Sequence, residues 1–402
     1  MSNASKSIVY VWDADYPWDV RTEKVTLALT RAGHTVNIVA RNRAWKQTTE
    51  RLPEGTVQRM APWKALGRRL DNALGFPAFF SPRWINLIDR TCRDAKADLI
   101  IVRDLPLCPT AILCGKRLGI PVMLDMAENY PAMMRVLWDT GRETLFDYFA
   151  RNPSITAKVE RRCVKDVDHI IVVVEESADR VAALGVPRNK LTVVSNTPPL
   201  ARLDGPSHQP SGTRATIDVV YMGNLEVVRG LLETIDAIAH LRNEGKRIRL
   251  RVIGRGRDEA LVKARAASLG LGADHVEFLG YIASHTDALR IVAQSDVGLI
   301  PHRKNDSWDT TIPNKLFDYM AAGLPVASSN ADPCARIVRE TGCGQIFRSG
   351  DATELAAAIK DVTSADTAAR LGSAGRTAVR ARYNWEYDTA TLLDAVDHIK
   401  KM

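Results

Sequence analysis

The sequence has no run of the roughly 18 uncharged apolar residues that a membrane-spanning helix needs. Its best apolar runs, Leu99–Val102 and Ile170–Val174, are strand-sized. Cysteine is sparse, with Cys92, Cys108, Cys114, Cys163, Cys334 and Cys343 spread along 402 residues. None forms C-x-x-C and none pairs with histidine at zinc spacing. They read as buried free thiols of a reducing compartment. The eight histidines are scattered and form no H-E-x-x-H, so no metal is expected. No G-x-G-x-x-G follows the first strand: Ile8–Trp12 leads into Asp13-Ala14-Asp15, which argues against a dinucleotide cofactor. Met1–Ser7 is polar and lacks the apolar core of a signal peptide, which predicts a cytoplasmic protein.

Charge is present but unevenly placed. The formal net charge is +8. Nearly all of the excess lies in residues 41–93, where eleven basic residues face four acidic ones. Trp45, Trp63, Phe76, Phe79, Phe80 and Trp84 interleave with them. Aromatic rings at headgroup level with Lys and Arg against anionic lipid suit a membrane surface. A solvated basic face over core aromatics is the alternative. Nucleic acid is not expected, because no recognisable nucleic-acid module accompanies the charge.

Strands and helices alternate. Ile8–Trp12, Val36–Ala40, Leu99–Val102, Val122–Asp125, Ile170–Val174 and Leu191–Val194 read as strands, with helices at Val20–Arg31 and about 154–167. A Pro/Gly/Ser-rich stretch, 198–212, reads as a linker. The second half restarts the pattern. Its strands are Ile217–Tyr221, Ile248–Ile253, Val276–Leu279, Val297–Ile300, 325–327 and Gly344–Phe347. Its helices are 230–243, 257–269, 284–294, 313–322, 333–340, 353–362 and 367–383, and a last helix is expected over 384–400. Such alternation implies parallel sheets covered on both faces. The expectation is α/β: two Rossmann-like domains, 1–200 and 213–383, facing each other across a cleft, with the helix 384–402 packing back on the first. Ligands of open α/β sheets sit beyond the carboxyl ends of the strands.

Two segments suit a diphosphate. In Tyr221-Met222-Gly223-Asn224-Leu225, a glycine directly follows a strand, where amides can approach an anion, and Arg229 follows before Gly230. In Thr310-Thr311-Ile312-Pro313-Asn314-Lys315, a capped helix start presents the free amides of Asn314, Lys315 and Leu316 beside the Lys315 charge. Asp318, one turn on, can accept from ribose hydroxyls. Ile253-Gly254-Arg255-Gly256 and Phe278-Leu279-Gly280-Tyr281 can frame a base, through Gly254 and Tyr281. Arg21, at the first βα turn, is a further candidate.

These segments, in this order and spacing, resemble the retaining glycosyltransferases of family 4, with the GT-B fold. Pro17–Asn42, Leu124–Tyr130, Ile170–Asn196 and Tyr383–Glu386 resemble that family's other landmarks. The resemblance implies transfer from a nucleotide-diphosphate sugar with retention and without a metal or other cofactor. UDP-sugar is expected ahead of GDP-sugar. It implies phosphate binding by Arg229 and Lys315, and ribose binding by Asp318, on the second carboxylate of the family's E-x7-E. Asn224 stands where many members have a second phosphate-binding Arg. Thr310 stands at the first Glu of E-x7-E. Ala127 stands at the His of D-x-H-E, leaving Glu128 or Asn129 to serve. The expected site is therefore Glu128, Arg229 and Lys315 for catalysis. Gly223, Asn224, Gly254, Tyr281, Thr310, Thr311, Asn314, Asp318 and Arg21 are expected to bind substrate. The expected partners are the donor, a lipid-linked or glycan acceptor of surface polysaccharide synthesis, and an anionic membrane face reached through 41–93, at the inner plasma membrane. A catalytically silent scaffold of the same fold, a sugar-nucleotide epimerase and a phosphorylase are the rival readings.

Overall fold

The structure, a computed structural model, describes residues 5–17, 19–76, 79–138, 152–208 and 216–399. Trp18, part of the expected linker and the end of the last helix lie outside them. The chain divides into two compact units, 1–195 with 389–402 and 196–388.

In the first unit the order is β1 (Ser7–Asp15), α1 (Val20–Arg31), β2 (Thr35–Arg41), β3 (Thr49–Leu52), β4 (Gly55–Arg59), α2 (Gly67–Leu74), α3 (Pro82–Ala95), β5 (Leu99–Arg103), α4 (Cys108–Leu118), β6 (Val122–Met126), α5 (Tyr130–Trp138), α6 (Pro153–Asp166), β7 (His169–Val172), α7 (Glu175–Ala183) and β8 (Leu191–Val193). The eight strands form one sheet in the order β3-β4-β2-β1-β5-β6-β7-β8. All pairs are parallel except β3 with β4. Ile8–Val11 are fully buried on both strand faces, as are β5 and β6, because helices cover both sides of a parallel sheet. Asp19 starts α1 by accepting from the Thr22 amide at 2.8 Å, which satisfies one orphan donor of the first turn.

In the second unit the order is β9 (Ile217–Met222), α8 (Leu231–Asn243), β10 (Ile248–Ile253), α9 (Glu259–Ser268), β11 (Val276–Gly280), α10 (His285–Ala293), β12 (Val297–Ile300), α11 (Lys315–Ala322), β13 (Val326–Ser329), α12 (Asp332–Thr341), β14 (Gly344–Phe347), α13 (Ala352–Val362) and α14 (Ala365–Ala381). Helix α15 (Trp385–His398) closes the chain. The sheet order is β11-β10-β9-β12-β13-β14, all parallel. The order reverses beside β9, between β10 and β12. In this topology the carboxyl end of β9 is the place where a ligand meets backbone ends on both sides.

All six cysteines are free and buried. Among the described residues no helix is long and apolar enough to cross a membrane, and no three His, Cys, Asp or Glu residues are grouped to hold a metal.

Candidate functional site

Of the expected donor residues of the second unit, Gly223, Arg229 and Lys315 come together at the end of β9. Lys315, the first residue of α11, turns its side chain inward. Its Nζ lies 3.9 Å from the centre of the Tyr221 ring. A Cβ on Gly223, whose φ is +147°, would sit 3.0 Å from that Nζ, so glycine leaves the room the ammonium occupies. Lys315 is only 6% exposed and its Nζ has no hydrogen-bond partner. Burial, and then the nearby Arg229 charge, push its pKa well below the ordinary lysine range.

Arg229 is held from two sides. Its Nε donates to Glu226 at 3.1 Å, and its guanidinium lies 5.1 Å from the Trp308 ring centre. Trp308 also meets His302, with ring centres 4.1 Å apart. His302 is fully buried and neither ring nitrogen has a partner. Burial, then the Lys315 and Arg229 charges, drive its pKa well down, so it is a neutral imidazole. Gly230 lets the chain after β12 close on this group: a Cβ there would lie 1.8 Å from the Pro301 carbonyl oxygen.

Several expectations need correction. The Gly223 amide is not open to an anion, because it donates to the Ile253 carbonyl at 2.9 Å. The Gly254 amide is likewise spent, on the Gly280 carbonyl at 2.8 Å. Helix α11 begins at Lys315, not at Pro313, and no side chain caps it. The Leu316 amide, expected free, donates to the Pro313 carbonyl at 3.0 Å. Thr310 turns its hydroxyl to the Asp306 carbonyl at 2.8 Å instead of capping the helix. Asp309, beside the place of the first E-x7-E carboxylate, accepts the Asp332 amide at 3.0 Å. Of the rest, Thr311 is buried while Asn224, Asn314 and Tyr281 are exposed, Tyr281 at 63%. Asp318 is buried one turn beyond Lys315 and accepts from Arg202 at 3.2 Å; Arg202 also meets His285 at 2.7 Å.

The first unit carries a second group, at the ends of β1, β5 and β6. Arg21 is not at the surface. It is 1% exposed, and its Nε donates to Asp125 at 2.7 Å and its Nη1 to the Val194 carbonyl at 3.0 Å. Asp125 also accepts from Tyr10 at 2.8 Å. The Arg21 guanidinium is thus engaged inside this unit. Asp104, at φ +59°, accepts the Ala127 amide at 2.9 Å and the Glu128 amide at 3.2 Å. That fixes the segment bearing half-buried Glu128. Arg103 pairs with Asp19, and its guanidinium lies 4.4 Å from the Trp12 ring centre. Asp13, half-buried, has its pKa pushed up to about 7 by burial and then by Asp104.

The basic, aromatic window resolves into two populations. Arg59 and Trp84 are buried core, and Arg83 is tied to Asp71 at 2.9 Å. The exposed large apolar side chains of the window fall between residues 63 and 80. Trp63, Leu66, Leu70, Leu74 and Phe80 are 41–65% exposed. Lys64, Arg68 and Arg69 are exposed among them. Leu66, Leu70 and Leu74 are spaced by four, so they form one stripe along α2.

Sequence reasoning did not single out His302, Trp308, Arg202 or Asp13. Only position could have pointed to them: His302 directly follows Pro301 at a strand end, and Asp13 lies at the end of β1, where ligands of such sheets collect.

Comparison with known proteins places this geometry in a family. Residues 19–197 match the family described as glycosyl transferase 4-like domain, and residues 216–365 match glycosyl transferases group 1. A phosphatidyl-myo-inositol mannosyltransferase of Mycobacterium leprae (strain TN) is 30% identical over 171 residues, 42% of this chain and 42% of that protein. The chain thus spans less than half the length of the first curated relatives it matches. Sucrose-phosphate synthase from Thermosynechococcus elongatus superposes with a TM-score of 0.76 at 17% identity, over 97% of this chain and 98% of the other. Anabaena Alr3699/HepE, solved in complex with UDP, gives 0.72 at 14% identity, over 98% and 100%. At such identities the structures show the fold alone. Two family matches that together run through both units, on two Rossmann-like sheets of GT-B type, show that the chain belongs to the glycosyl transferases of group 1, with a glycosyl transferase 4-like first domain.

Proposed function

We propose that this protein transfers a hexosyl group from a nucleotide-diphosphate sugar, a UDP-sugar ahead of a GDP-sugar, to a lipid-linked glycan acceptor at an anionic membrane face. One observation carries the donor half of this reading: Lys315 is a buried basic group with no hydrogen-bond partner, set beside Arg229 at the end of β9. A buried amine is normally hydrogen-bonded. Here the missing partner is an anion, and a diphosphate supplies it.

In the reaction, the bond from the anomeric carbon to the outer phosphate oxygen breaks and a bond to the acceptor oxygen forms. Arg229 and Lys315 stabilise the negative charge that grows on the leaving diphosphate, with no metal in that role. Attack on the same face lets the leaving phosphate oxygen take the acceptor proton. The protein then needs positioning more than a strong base, so Ala127 in place of a histidine is compatible with activity. Asp318 receives the ribose hydroxyls, Tyr281 and the Gly254 turn flank the base, and Thr311 and Asn314 line the phosphates. In the first unit, Glu128, on the segment fixed by Asp104, is the group assigned to the transfer step.

The acceptor half rests on the exposed stripe of α2 with its basic flanks, which fits an interfacial helix at an anionic lipid surface. The M. leprae relative's name, a mannosyltransferase of a phosphatidylinositol, supports an acceptor of lipid character. The test is a panel of UDP- and GDP-sugars with lipid-linked acceptor, measured for transfer with and without anionic vesicles. Transfer enhanced by the vesicles is expected. Turnover of no donor in the panel contradicts the reading, and donor binding without turnover favours the silent scaffold.

A further inference from the structure

Two basic side chains of the second unit are buried with nothing bonded to them. Lys315 is 6% exposed and His302 is 0% exposed. Neither the Lys315 Nζ nor either ring nitrogen of His302 has a hydrogen-bond partner. An unsatisfied buried polar group destabilises a fold, so two of them at one strand end require a reason. Their surroundings sharpen it. Lys315 meets the Tyr221 ring from β9, the Arg229 charge from the turn before α8, and Cys334 from α12. His302 meets the Trp308 ring and lies within electrostatic reach of Lys315 and Arg229. Among the described residues, no carboxylate acts on either group. Glu226, the nearby acid, is bonded to Arg229.

We propose that His302 belongs to the diphosphate site and forms with Lys315 a pair that takes up one proton from solvent when the diphosphate enters. This rests on the donor-site reading above. Without ligand, the cheapest state of a buried pair beside Arg229 is uncharged. Burial and the neighbouring cations both push the two groups that way. An entering dianion reverses the balance: the amine becomes an ammonium that bonds the phosphate, and the neutral imidazole accepts one of its remaining N–H donors. His302 acts through Lys315, so it is a positioning residue. It stays neutral on binding and holds the ammonium on the phosphate.

The experiment is calorimetric titration of the whole protein with UDP, in Tris and in Bicine, between about pH 7.5 and pH 9. Over that range the terminal phosphate is already ionised, so proton uptake reports on the protein. The expected result is uptake of about one proton, with UDP affinity falling by up to about tenfold per pH unit. Lys315→Arg keeps a cation that cannot titrate, so it binds UDP with no uptake and a flat pH profile. His302→Gln keeps the uptake but weakens binding. Binding by the wild-type protein without uptake overturns the inference and leaves the donor site standing, and this needs no variant. Uptake that persists in the Lys315→Arg, His302→Gln double variant also overturns it. If neither UDP nor GDP binds at any pH, the donor-site reading fails and this inference with it.

Discussion

Both units end their central strands in buried charge, yet they treat it oppositely. At the end of β1 and β6 the charges answer one another: Arg21 holds Asp125, and Tyr10 bonds the same carboxylate. At the end of β9 they do not: Lys315 and His302 lie buried without partners. The first arrangement completes itself and works as framework. The second is incomplete until something negative arrives. Burial of charge alone therefore does not mark a site; burial without compensation does.

The comparison can be broken first in the framework. Asp125→Ala leaves Arg21 buried and unpaired, and the expected cost is about 3–5 kcal/mol of stability. Urea unfolding measures it, and a loss under about 1 kcal/mol would mean the pair is not a structural clamp. Next comes the site. Arg229→Ala is expected to weaken UDP binding by about 2–3 kcal/mol, roughly 30- to 150-fold, as a lost charge-assisted contact does. Asp318→Ala should cost less, about tenfold or 1.4 kcal/mol, because it removes bonds to neutral ribose hydroxyls. Isothermal titration separates the two, and equal losses would move Asp318 away from the ribose.

A pH-dependent effect concerns Asp13, in the first unit. Burial and Asp104 raise its pKa to about 7, from an ordinary 3.8. The folded state then favours the protonated acid. Its contribution is full below about pH 4 and is lost as pH rises through about 7. Asp13→Asn should flatten that fall, which a shift from 3.8 to about 7 sets at up to about 4 kcal/mol between pH 4 and pH 8. Urea midpoints at pH 5 and pH 8 check it; an unchanged difference between them would refute the assignment.

The second unit was legible in the sequence because its strands are short apolar runs bounded by glycine, proline or charged residues. Ile248–Ile253, Val297–Ile300 and Gly344–Phe347 fall at the expected residues. The first unit was less legible. Thr49–Leu52 is an edge strand with no buried residue, so it carries no alternation to read, and its partner Gly55–Arg59 was missed with it. Arg21 read as a substrate-binding candidate, and its pairing was invisible because its partner, Asp125, lies 104 positions away. Lys315 and Arg229 stood in recognisable motifs. His302 did not: a lone histidine after a strand has no spacing to reveal it, and only the fold brings it to Trp308 and Lys315. The Gly223 amide was misjudged because the Ile253 carbonyl that claims it is brought there by tertiary register, whereas the Leu316 amide is claimed by a local turn to Pro313 once the helix starts at Lys315.

One measurement bears most directly on the contrast between compensated and uncompensated charge: the Lys315→Met protein, assayed for UDP affinity and for thermal stability without ligand. An isosteric apolar side chain removes the buried amine without leaving a carboxylate stranded. The account predicts that UDP affinity falls by about 10²-fold while the unliganded Tm stays level or rises. A fall in Tm with UDP affinity intact would contradict it, because Lys315 would then be framework, as Arg21 is.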